Sequence, residues 1–96
     1  MSDALKIDTK DNVAVVIRPV EAGETLSYRD GDAEEKTVTA VTAIPIYHKI
    51  ALTDMNEGEK VVKYGEHIGE ASCTIKAGEH VHTHNVNSVR EDLQEL

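Results

Sequence analysis

The chain has 96 residues and a formal charge of −8, from 18 acidic and 10 basic side chains. That length makes one domain of modest size, burying roughly 60–65% of the surface its unfolded form exposes. The acidic balance and the lack of any Lys/Arg cluster exclude nucleic acid and anionic membranes as partners, since both require clustered cations. Phe and Trp are absent, and the aromatics are Tyr28, Tyr47 and Tyr64. The core must come from Val, Ile, Leu and Ala, which suits a compact β structure. Cys73 is the sole cysteine, so no intrachain disulfide can form, as expected in a reducing compartment. The alternating run around it predicts buried packing. Residues Met1 to Lys6 carry no basic-then-apolar leader, and no apolar run approaches the ~20 residues of a membrane span. The expectation is a soluble cytoplasmic protein.

In chain order, a short strand is expected at Ala4 to Ile7. Asp11-Asn12 opens Val13-Ala14-Val15-Val16-Ile17-Arg18, whose near-continuous apolar composition predicts a strand covered on both faces. Pro19 ends it. A local pattern then occurs three times, as Glu21-Ala22-Gly23-Glu24-Thr25-Leu26, Asn56-Glu57-Gly58-Glu59-Lys60-Val61 and Lys76-Ala77-Gly78-Glu79-His80-Val81. Each places Gly where a tight turn takes φ > 0, and each leads into a short strand. The unequal intervals argue for recurrent turns and against a solenoid.

The charged stretch Arg29 to Lys36 contains an Asp-Gly turn signal at Asp30-Gly31 and predicts an exposed hairpin tip or a mobile loop. Thr37 to Ala43 alternates as a half-buried strand, with Val38 and Val41 out of phase, which calls for a bulge or twist. Further strands are expected at His48 to Leu52, Lys60 to Tyr64 and Glu70 to Ile75. Gly65 and Gly69 mark a tight corner around Glu66-His67-Ile68. Only the tail from Ser88 to Leu96 reads as helix: Ser88 and Glu91 have capping-box spacing, and Val89, Leu93 and Leu96 form a stripe. The expected division is a β domain over 1–87 and a tail over 88–96.

Chemistry concentrates in Gly78-Glu79-His80-Val81-His82-Thr83-His84-Asn85. In an extended segment alternate side chains share a face, so His80, His82 and His84 would line one side. Imidazole is the commonest protein metal ligand and the ordinary acid/base near neutrality. The plainer alternative is a polar strand end with solvated histidines. A structural zinc site finds no Cys-x-x-Cys here. There is also no nucleophile elbow and no Gly-rich phosphate loop before a helix. A histidine pair with carboxylates could hold a catalytic divalent metal, but no second cluster of ligands stands out. The residues amount to half a site, the remainder coming from another chain.

Several stretches together resemble the N-terminal, SAF-type domain of altronate and galactarate dehydratases, a β-clip fold. These are Asp11-Asn12-Val13-Ala14-Val15, Ile44-Pro45 with His48-Lys49-Ile50-Ala51-Leu52, Val62-Lys63-Tyr64-Gly65 with Ile68-Gly69, and Gly78 through Asn85. The resemblance covers Ala4 to Asn85 with the motifs in order. Fused members carry a large catalytic domain after this one. The expectation for this chain is therefore the small subunit of a two-chain enzyme, and the similarly short small subunit of sulfolactate sulfo-lyase is in the same group. The resemblance implies a lyase that removes a leaving group β to a carboxylate of a small hydroxy acid, with a divalent metal such as Fe²⁺ or Mn²⁺. It implies His82, His84 and His48 as catalytic residues, with His82 and His84 as metal ligands, and Lys49, Asn85 and Asn12 at the substrate. His80 stands where other residues are common in the family and ranks below them. The acidic loop has no counterpart in the pattern. A non-catalytic, carbohydrate-binding module of SAF type is the rival reading, and it would not need the His48 and His82/His84 combination.

Overall fold

The structure is a computed structural model that describes residues 3–30 and 34–88. In chain order its strands are β1 (Ala4–Leu5), β2 (Val13–Val16), β3 (Thr25–Asp30), β4 (Glu34–Thr39), β5 (Lys49–Ala51), β6 (Lys60–Lys63), β7 (Glu66–Ala71), β8 (His80–Val81) and β9 (Val86–Ser88). No helix occurs among the described residues. Three antiparallel sheets result, ordered β1-β2-β5-β8, β3-β4 and β6-β7-β9.

Strand β2 shows why its sequence is apolar throughout. All four of its residues are buried, and alternate side chains enter different cores. Ala14 and Val16 pack with Val20, Leu26, Tyr28, Val38 and Ile50, while Val13 packs with Ala51, Met55, Val61, Ile75 and Val81. The central sheet is therefore sandwiched between the β3–β4 hairpin and the β6-β7-β9 sheet. A fully buried Val or Leu contributes on the order of 1.5–3 kcal/mol, so these two clusters carry the domain without any Phe or Trp.

The Gly-Glu turns recur four times, once more than the sequence pattern indicated. The N–H of the fourth turn residue donates to the carbonyl of the first in Glu21–Glu24, Pro45–His48, Asn56–Glu59 and Lys76–Glu79, at 3.0–3.1 Å. The third residue has positive φ each time: Gly23 at 91°, Tyr47 at 70°, Gly58 at 90° and Gly78 at 92°. That is the type II signature. The same residue's N–H also reaches the carbonyl of Ala40, Val16, Ala71 or Ala51, at 2.8 Å in every copy. In the three glycine copies the Glu carboxylate accepts from the turn's first N–H: Glu24 from Glu21, Glu59 from Asn56, and Glu79 from Lys76. The copy at Pro45 has no such N–H, and His48 replaces the glutamate. With neither Gly nor Glu to mark it, that copy escapes a sequence search.

Several expectations are corrected. Strand β2 stops at Val16, and Ile17 N–H turns to the Asp3 carbonyl. Strand β4 is regular over Glu34–Thr39, and Val41 leaves it to donate its N–H to the Gly78 carbonyl, 2.8 Å away. The bulge instead lies at Val61/Val62. Cys73 is exposed, because the chain leaves β7 at Ala71 and rejoins a bridge only at Ile75. The charged hairpin is present, pairing as far as Asp30 opposite Glu34. Its tip end is tied by ion pairs from Lys6 and Lys36 to the Asp30 carboxylate, whose pKa they hold down at about 2. The expected helix at the C-terminus falls outside the described residues apart from Ser88.

Candidate functional site

Strands β5 and β8 pair with Lys49 opposite Val81 and Ile50 opposite His80. Extending that register by one residue sets His48 against His82, and their rings stack at 4.2 Å. His48 Nδ1 lies 2.8 Å from His80 Nε2, so one ring donates a proton and the other accepts it. The His80 ring also stacks on His48 at 5.0 Å and meets His84, tilted, at 5.0 Å. Residues 32 and more apart in sequence thus form one imidazole cluster. His48, His80 and His82 are half-buried and His84 is exposed.

The cluster is not built by strand alternation. Strand β8 ends at Val81, and His82 to Asn85 form a turn closed by Asn85 N–H donating to the His82 carbonyl, 3.1 Å. The buried Asn85 amide braces that turn. Its Oδ1 accepts from His82 N–H at 2.9 Å and its Nδ2 donates to the His80 carbonyl at 2.8 Å. Asn12 does similar work elsewhere: Nδ2 donates to the Lys60 carbonyl and Oδ1 accepts from Val62 N–H, each at 2.8 Å, clamping β2 to β6. Both asparagines taken as substrate residues therefore have backbone partners, although Asn85 also lines a cleft beside His80.

Burial, and then the neighbouring imidazoles, push His80 down to about 4. Burial likewise lowers His82. Both shifts favour the neutral ring, which offers a lone pair. One nitrogen each from His48, His80 and His82 lies within 4.8 Å of the others. His82 Nδ1 is buried with no hydrogen-bond partner among the described residues, an arrangement that costs stability unless a ligand satisfies it. Three clustered imidazoles, one of them with an orphaned ring nitrogen, fit a first-row divalent ion. His84 stands beside this trio and His80, ranked low on sequence, stands within it. The signal that could have found His80 is the register of β5 with β8, which only folding reveals.

Lys49, next to His48, is half-buried, and no ion pair to it appears among the described residues. Burial first, and then Lys63, lower its pKa. It lines a pocket of about 170 Å³ with His82, Thr83, Ile68 and Val86. A second cleft, of about 450 Å³, opens beside His80 and His84 and includes Thr42, Thr74, Cys73 and Asn85.

A family model described as the altronate/galactarate dehydratase SAF domain matches residues 2–89. The chain belongs to that family. Altronate dehydratase of Bacillus subtilis is 38% identical over 94 residues, covering 98% of this chain and 18% of that protein. The Escherichia coli altronate dehydratase is 40% identical over 91 residues, 95% of this chain and 17% of that protein. The chain thus spans under a fifth of the length of these two relatives. The (2R)-sulfolactate sulfo-lyase subunit alpha of Chromohalobacter salexigens is 44% identical over 85 residues, with 86% of this chain matched to 90% of that subunit. Membership fits the mostly β architecture of small sheets and Gly turns. No helix among the described residues is long and apolar enough to cross a membrane.

Proposed function

We propose that this chain is the small component of a two-chain, metal-dependent lyase that removes water from a sugar acid of the altronate or galactarate type. The observation that carries the reading is the imidazole cluster beside half-buried Lys49, which makes no ion pair among the described residues. An unpaired cation in a pocket favours an anionic ligand, and a hydroxy-acid carboxylate suits it. Lys49 would bind that carboxylate from the small pocket. His48, His80 and His82 would hold the metal, and His84 stays free to give a proton to the departing hydroxyl. When bound, the ion would polarise the carboxylate and ease loss of the neighbouring proton. Asn85 fixes the backbone of His80 and His82, so the rings keep their positions without a carboxylate behind them. A large chain would supply the base that takes the proton and close the site against water.

A second reading has its own support. The match to nearly the whole of a sulfo-lyase alpha subunit favours sulfolactate, with sulfite leaving in place of water. The two readings share the carboxylate and the elimination, and differ in the leaving group. Mixing the purified chain with its large chain and Fe²⁺ or Mn²⁺, and offering altronate, galactarate and sulfolactate in turn, separates them. Loss of water from a sugar acid, only when both chains are present, is the expected result. Sulfite release would select the second reading. Full turnover by the small chain alone would overturn both, and carbohydrate affinity without turnover in any mixture would point to the binding module.

A further inference from the structure

Of the four equivalent turns, three place glycine at the positive-φ position and one places Tyr47, at 70°. Glycine adopts that conformation freely, whereas a side chain there crowds its own backbone. Tyr64 also has positive φ, at 56°, but sits in the tight β6–β7 hairpin loop with Gly65, where a two-residue connection demands it. The Lys63 ammonium also covers the Tyr64 ring at 5.0 Å. Tyr47 has no such compensation. The residue is 71% exposed, and its hydroxyl makes no hydrogen bond among the described residues. A strained residue whose side chain gains nothing inside the chain points to something outside it.

The surroundings say what kind of thing. Ile46 is 38% exposed and Ile17 40%, and Ile17 directly follows Val16, whose carbonyl receives the Tyr47 N–H. An exposed aromatic flanked by branched apolar side chains has the composition of a protein–protein anchor. Tyr47 also directly precedes His48 in the same turn, so a partner that covers the ring meets the segment that carries one of the clustered imidazoles. The altronate dehydratase relatives extend far beyond the matched segment, which is 17–18% of their length. Under the two-chain reading, the large chain would supply the rest of the site from the turn that carries Tyr47 and His48.

We propose that Tyr47 is the anchor through which this chain docks the large catalytic chain at the rim of the imidazole cluster, its ring entering an apolar pocket that offers the phenol an acceptor. The proposal rests on the two-chain reading above. Tyr47→Gly restores the residue found in the other three turns, so a purely conformational role predicts no loss of association. The test measures affinity between the small chain and the large chain isolated with it, by calorimetry, alongside melting temperature. Tyr47→Gly is expected to melt higher than wild type and to bind the large chain at least tenfold more weakly. Tyr47→Asn, which also tolerates positive φ, should behave alike. Equal affinity for wild type and both variants overturns the proposal while leaving the two-chain reading intact. Unchanged affinity with a raised KM in the assembled enzyme would assign the ring to substrate and likewise overturn it. A wild-type dimer that becomes monomeric in Tyr47→Gly would assign the surface to a second copy, against the proposal. Failure of the wild type to bind any large chain removes the reading beneath it.

Discussion

His82 and His84 contribute little to the cores, so their replacement separates chemistry from folding. His82→Ala and His84→Ala are expected to stay folded, with stability changes within about 1 kcal/mol. Turnover of the assembled enzyme should fall by roughly 10²-fold or more, the usual scale for a lost acid/base or positioning group. His80→Ala should cost as much as His82→Ala, because His80 holds His48 through the 2.8 Å contact. Measuring kcat and Tm together checks all three, and unchanged turnover in the His82/His84 double variant would make this turn mere scaffold. Asp11 is a buried, acid-sensitive group of the fold. Its burial disfavours the charge, but N–H donors from Ile7, Asp8 and Gly65 more than offset this and hold the carboxyl below its ordinary value of 3.8. A depressed native pKa means stability that is fully present above the unfolded value and is lost as pH falls through the native one. Tm should therefore drop more steeply below about pH 4 in wild type than in Asp11→Asn, which cannot ionise. Parallel acid limbs for the two proteins would contradict this.

At the level of elements, the repeated turn makes graded predictions, because its glycines meet different surroundings. A Cβ at Gly23 or Gly58 would find no atom within 4 Å, so only the positive φ resists substitution. A Cβ at Gly78 would collide with the Thr39 carbonyl as well. Gly23→Ala should therefore cost about 1 kcal/mol and Gly78→Ala about 3 kcal/mol or more. Denaturant midpoints at constant m would give the order, and equal losses would argue that φ alone matters. Gly78 also accepts the Val41 N–H through its carbonyl at 2.8 Å, so its replacement should disturb the 450 Å³ cleft beside His80.

For the whole molecule, the two cores hold a rigid frame, and the cluster sits where two distant segments meet at the end of the central sheet. Binding of a divalent ion to folded imidazoles alone should stabilise the chain by about 2.7 kcal/mol at a hundredfold excess over Kd. The expected outcome is a higher Tm with Mn²⁺, reversal by a chelator, and no shift in His48→Ala or His82→Ala. The same Tm gain in those variants would place the ion elsewhere. Because the His48 and His82 rings lie at 4.2 Å across β5 and β8, metal should also tighten the pairing of these strands. Slower amide exchange at Ile50 and Val81 would report it.

The amino-acid sequence by itself determined the fold class, the two-faced burial of Val13 to Val16, the turns at Gly23, Gly58 and Gly78, and the family. Those features are local: burial on both faces removes polar residues from a strand, and positive φ selects glycine. The resemblance, read from the same residues, also grouped His48 with His82 and His84 as one chemistry and ranked His80 below them. Only tertiary structure decided how they meet, because strand register is a long-range property that no window of sequence contains. That register brought His80 into the trio and left His84 beside it, and it ended β8 at Val81 so that a turn braced by Asn85 carries His82. The fourth turn was hidden for a related reason: Pro45 removes the N–H that a glutamate would accept, which frees the next position for His48 and leaves neither marker residue to read. Cys73 likewise turned outward because its segment lies between two pairings instead of within one.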